Sequence, residues 1–165
     1  MAETEKCTIN VDAEAMAAIC EEAQHSGIEA SALIQRSIHE LAISTGRVRQ
    51  ESVKLPTAQF DVIDAFIALS KKLEDHGLFD EHFVLTVFRA AIDSPTLRDL
   101  YERAVDGDAY AVKLPGKTPL NMYLGWYIKN AVGAEPKVDA RGQPLRVQVR
   151  GEPIQSYTLL RKAGR

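Results

Sequence analysis

Residues 8–42 read TINVDAEAMAAICEEAQHSGIEASALIQRSIHELA, and the parsing of this stretch decides the fold. Together with the two residues before it, polar Lys6, Thr8 and Asn10 alternate with apolar Cys7, Ile9 and Val11, the two-residue period of a short half-buried strand. Asp12 then offers a helix cap. Met16, Ile19, Cys20 and Ala23 recur at helical spacing as far as His25-Ser26-Gly27, where glycine suits the left-handed turn after a helix. A second helix is expected over about 29–44, with Leu33, Ile34, Ile38, Leu41 and Ala42 on one stripe and Thr45-Gly46 closing it. A single strand over 6–11 has no partner within this segment, so it must borrow one.

This order of strand, Asp12-Ala-Glu, Gly27 and Ser31-Ala-Leu-Ile-Gln-Arg-Ser-Ile resembles the ribbon-helix-helix family of small dimeric DNA-binding proteins, which includes Arc, MetJ and many antitoxins. The resemblance covers about 35 of the 165 residues. It implies a homodimer whose paired strands form an antiparallel ribbon, with Lys6, Thr8 and Asn10 turned to the major groove of double-stranded DNA. It also implies phosphate binding at the start of the second helix, where this chain departs from the pattern by carrying Glu29 in place of a hydroxyl cap. Residues 1–55 carry 5 Lys+Arg against 9 Asp+Glu, so the ribbon either reads bases against an unfavourable field or only dimerises. The bland alternative is an ordinary amphipathic helical hairpin.

Residues 47–57, preceded by Gly46 and containing Pro56, read as a linker between a domain at 1–46 and a larger one at 58–165. In the second domain Phe60, Ile63, Phe66, Ile67 and Leu73 mark one helical stripe, and Phe79, Phe83, Val84, Val87, Phe88 and Ala91 the next. Ser94-Pro95 opens a third helix with a hydroxyl cap and a first-turn proline, carrying Leu97, Leu100, Tyr101 and Ala104 to Gly107. Thr118-Pro119 repeats the device for a helix over about 119–132, with Leu120, Leu124, Ile128 and Ala131 on one face. After Gly133 the period changes to two. Leu145, Val147 and Val149 alternate with Arg146, Gln148 and Arg150, and a second run from Ile154 to Leu160 follows the turn Gly151-Glu152-Pro153, the pattern of an antiparallel hairpin.

Helix, helix, loop, helix and basic hairpin over about 94–162 resembles a winged-helix domain of the kind found in phage and plasmid replication proteins, carried mainly by Leu124-Gly125-Trp126-Tyr127-Ile128-Lys129 and the hairpin after it. The resemblance implies a last helix in the major groove and a hairpin on flanking phosphates. Asn121, Lys129 and Asn130 would then face base edges or phosphates, and Lys137, Arg141, Arg146 and Arg150 phosphates. Tyr123, Trp126 and Tyr127 are also accounted for by packing between helix and hairpin.

Composition gives these expectations a direction. Net charge is −3 overall, but residues 1–109 hold 10 Lys+Arg and 20 Asp+Glu, while residues 110–165 hold 10 Lys+Arg and 3 Asp+Glu. A basic third on an acidic body points to an anionic partner, unless it is a solvated tail. No run approaches the roughly 18 apolar residues of a membrane helix, and MAETEKCTIN has no signal-peptide pattern, so a cytoplasmic protein without membrane contact is expected. Cys7 and Cys20 form no CxxC pair, and His25, His39, His76 and His82 show no metal-ligand spacing. Gly116-Lys117-Thr118 has the end of a phosphate-binding loop, but Ala111 stands where that loop needs its first glycine and Pro119 follows at once. No cofactor and no catalytic constellation is expected, and Asp61 and Asp64 read as solvating charges. The chain is therefore read as mostly α with small β: a ribbon-helix-helix followed by a helical domain ending in a β-hairpin. Its expected role is a dimeric, sequence-specific DNA-binding regulator of a bacterial, plasmid or phage genome. The alternative is an antitoxin or adaptor whose C-terminal domain grips a protein partner.

Overall fold

A computed structural model describes residues 8–26, 28–46 and 50–164. The protein is mostly helical, with short strands that among the described residues lie only in its C-terminal part, and it divides into two compact units, Met1–Lys54 and Leu55–Arg165.

In the first unit, α1 (Ala13–Ser26) and α2 (Ala30–Ser44) form a helical pair. Asp12 caps α1, its Oδ1 accepting from the amide of Ala15 at 2.9 Å. The chain reverses through a hydrogen bond from the Ile28 amide to the Ala23 carbonyl, 2.9 Å, and Ala23 is buried. Ile38, Leu41 and Ile43 stay exposed on α2.

The ribbon-helix-helix reading does not hold. Thr8–Val11 is not a strand, and every residue of the described chain that enters a β-ladder lies at Ala134 or beyond. A strand exists only through its ladder. The described strands of this chain pair with one another, which leaves Ile9 and Val11 exposed and Thr8 and Asn10 on irregular backbone. Lys6 lies outside the described residues. The homodimer inferred from the ribbon loses its basis with it. At the start of α2, Glu29 makes no side-chain cap and instead accepts from the Ser31 hydroxyl at 3.3 Å.

The second unit is built on α3 (Gln50–Asp75), whose first five residues precede the unit's start at Leu55, and on α4 (Phe83–Asp93), α5 (Pro95–Val105) and α6 (Lys117–Ala131). Helix α3 begins inside the stretch read as a linker and takes Pro56 into its early turns, although proline has no N–H to give and costs about 3 kcal/mol in a helix interior. Helix α4 is the centre of the core: Phe83, Val84, Leu85, Val87, Phe88, Ala91 and Ile92 are all buried. Phe88 meets Phe66 of α3 edge-on at 5.0 Å and Tyr101 of α5 at 6.1 Å. Helix α5 does take Pro95 in its first turn, but the Ser94 hydroxyl makes no cap bond. Helix α6 starts two residues before the expected Pro119, with Gly116 at its cap position and the Lys117 amide bonded to the Leu114 carbonyl at 3.1 Å. A Cβ on Gly107, after α5, would lie 2.8 Å from Leu114 Cδ1, so a larger residue there needs the Leu114 side chain to shift.

After Gly133 the strands β1 (Ala134–Pro136), β2 (Arg146–Gln148), β3 (Ser156–Thr158) and β4 (Leu160–Lys162) form two antiparallel pairs, β1 with β4 and β2 with β3. The β2–β3 pair is the expected hairpin, in the register Arg146 to Thr158, Val147 to Tyr157 and Gln148 to Ser156. The single hairpin of the winged-helix reading is thus accompanied by a second pair. Backbone bonds from Lys137 to Leu159, from Leu145 to Lys137 and from Leu159 to Leu145 join the strands where the two pairs meet.

Candidate functional site

The hairpin alternates as expected from Arg146 to Arg150, while Leu145, expected on the inward row, is exposed. Val147 and Val149 pack against the core, while Arg146, Gln148 and Arg150 are exposed. Cross-strand pairing puts Ser156 beside Gln148 and Thr158 beside Arg146 on the same outward face. Arg146 donates from Nη2 to the Ser156 hydroxyl at 3.1 Å. Arg141 sits in the turn between β1 and β2, where Asp139 Oδ1 accepts from the amides of Arg141 and Gln143 at 2.8 and 2.9 Å. Gly142 in that turn has φ +76°, a conformation that favours glycine.

Some basic residues of this unit are held by carboxylates of the chain and others are not. Held are Lys137 with Glu81, Lys162 with Glu74, Arg161 with Glu135 at 2.8 Å, Arg103 with Asp99 at 3.2 Å, and Arg89 with Glu152. Lys137 holds the Glu81 carboxyl below the usual carboxylate range, and Arg89 does the same to Glu152. Arg141, Arg146 and Arg150 carry no carboxylate partner among the described residues, and neither do Lys71, Lys72, Lys113, Lys117 and Lys129. Of the four hairpin cations expected to touch phosphate, Lys137 is thus engaged elsewhere, and three are open.

Helix α6 places its expected contacts differently. Asn121 is buried: its Oδ1 accepts from the Tyr101 hydroxyl at 2.7 Å, and its Nδ2 donates to the Pro153 carbonyl at 3.3 Å. It is a brace between α5, α6 and the hairpin turn, and cannot reach a base. Lys129 and Asn130 are half-buried and joined by a hydrogen bond, with the Lys129 ammonium 5.9 Å from the centre of the Trp126 ring. Tyr127 is core, Trp126 packs edge-on against it at 5.1 Å, and Tyr123 is exposed. Burial raises the Tyr101 hydroxyl pKa far above that of a free tyrosine, so it stays a donor to Asn121. Replacing Asn121 by alanine is expected to leave that hydroxyl and the Pro153 carbonyl unpaired and to cost about 2–4 kcal/mol, read as a fall in the unfolding midpoint.

Sequence reasoning passed over Lys117, Thr118 and Ser156. Lys117 is buried and donates from Nζ to the carbonyls of Ala109 and Ala111 at 2.5 and 2.7 Å, which pins the 109–111 segment to the start of α6. The signal for Lys117 and Thr118 was Gly116-Lys117-Thr118, set aside because it fails as a nucleotide loop, and Ser156 carried none.

Among the described residues no group of three or more His, Cys, Asp or Glu side chains is placed to hold a metal ion, and no helix is long and apolar enough to cross a membrane. The chain matches no family model, no curated protein and no solved structure.

Proposed function

We propose that the second unit binds duplex DNA through its phosphate backbone, with Arg141, Arg146 and Arg150 as the contacts. The observation that carries this reading is the division among the cations. Lys137, Arg161, Lys162 and Arg89 are held by carboxylates of the chain itself, whereas Arg146 and Arg150 in the β2–β3 hairpin and Arg141 in the turn before β2 meet no carboxylate among the described residues, Arg146 bonding only the Ser156 hydroxyl. Guanidinium suits a phosphate because its planar fork meets two oxygens at once.

Backbone contact carries little base information, and the burial of Asn121 removes the side chain best suited to read adenine. Two unrelated duplexes of equal length should therefore bind the intact protein with affinities within about tenfold of each other, measured by fluorescence anisotropy at low salt. A preference of a thousandfold or more for one sequence would contradict backbone-dominated binding, and no binding to either would contradict the proposal itself.

A protein partner is the second reading, favoured by one observation. Val112, Met122 and Tyr123 are 65%, 62% and 60% exposed and carry the apolar and aromatic character of an interface core. Met122→Glu with Tyr123→Glu would abolish such an interaction.

A further inference from the structure

Where the first turn of α6 meets the β2–β3 hairpin, a shallow cleft of about 100 Å³ is lined by Lys117, Thr118, Met122, Arg146 and Ser156, with Val112 at its edge. Ligand pockets for small molecules begin near roughly 300 Å³, so this space takes a single functional group and not a whole ligand. Its chemistry has one sign. The residues lining it include two cations and no carboxylate.

Lys117 brings a buried charge without an ion pair: its ammonium is met by two carbonyls, and Asp108 acts on it only electrostatically. Buried cations are ordinarily paired with an anion. Arg146 uses one N–H on Ser156, and its remaining donors have no partner among the described residues. The Ser156 hydroxyl accepts from Arg146, which leaves its proton to give. Thr118 has neither a hydroxyl partner nor an amide partner among the described residues.

We infer that this cleft seats one phosphate group, bound by Arg146 and by the hydroxyls of Thr118 and Ser156, with the charge of Lys117 behind them. The inference deepens the duplex-DNA reading and rests on it for the source of the group, a backbone phosphodiester; the same chemistry would take a free phosphate. The geometry is not that of a nucleotide loop, since Gly116 has an ordinary φ of −85° and the donors come from two separate elements.

Inorganic phosphate titrated into the intact protein at constant ionic strength, against chloride, should give saturable amide shifts at Lys117, Thr118, Gln155 and Ser156. Thr118→Val with Ser156→Ala removes two donors without changing charge. It should weaken both phosphate and duplex binding by about tenfold or more. Thr118→Val alone, at an exposed position, is expected to give a smaller loss in the same direction should the double variant fold poorly.

Shifts reproduced by chloride, or unaltered by the double variant, would overturn the inference. Unchanged duplex affinity in this variant, with loss in an Arg146→Ala, Arg150→Ala protein, would overturn it while leaving DNA binding standing. Localised phosphate shifts lost in the variant, in a protein that binds no duplex, would support the cleft with free phosphate as its source and remove the DNA reading.

Discussion

A protein carrying both Arg146→Ala and Arg150→Ala is expected to bind every duplex more weakly and to flatten the slope of log affinity against log salt by about two units. Each phosphate neutralised on B-DNA releases condensed counterions and contributes about −0.9 to that slope, so two lost contacts account for the change. The loss is expected to be the same on every sequence, since phosphate contacts carry no base information. Folding should be nearly untouched: both side chains are exposed, Val147 and Val149 keep their places against the core, and the only contact sacrificed is the surface bond from Arg146 to Ser156. A stability change within about 0.5 kcal/mol is expected for such positions. Arg161→Ala is the matched control, since Arg161 is already engaged with Glu135 and should move the slope less. A double variant with the slope of the parent protein would mean that the hairpin is not the contact surface.

The largest stability effect is expected at Phe88. Its ring is fully buried in α4 between Phe66 and Tyr101, and Phe88→Ala removes two edge-on aromatic contacts together with the volume that joins α3, α4 and α5. Truncation of a buried Phe costs about 3–5 kcal/mol, which is a large part of the roughly 5–15 kcal/mol that holds a typical domain folded. The denaturant midpoint should fall accordingly with the slope of the transition preserved. A loss below about 1 kcal/mol would place the centre of the core elsewhere.

Legibility in the sequence followed the range of each interaction. The helices of the second unit were readable because Phe66, Phe83, Val87, Phe88 and Ile128 repeat at the spacing that burial on a helix demands, and burial is what the structure does with them. The β2–β3 pair was readable for the same reason at period two. The N-terminal strand failed because alternation over Thr8–Val11 describes a residue pattern only, and a strand also needs a ladder partner, which a local pattern does not contain. Asn121 shows the complementary error. A polar residue in an apolar helix drew a functional reading, yet its spacing from Leu124 and Ile128 put it on the buried face, and its partners Tyr101 and Pro153 lie 20 and 32 residues away. Lys137 was likewise read as open because Glu81, 56 residues earlier, is invisible from its neighbourhood. Net charge over residues 110–165 counted cations correctly but could not say which were already engaged.

The salt dependence of duplex binding by the intact protein reports on all three arginines at once. Measured from about 50 to 200 mM salt on a duplex of arbitrary sequence, contacts by Arg141, Arg146 and Arg150 predict a slope near −2.7 per bound chain, at about −0.9 for each phosphate. A slope near zero, or no binding at the low-salt end, would contradict the proposal.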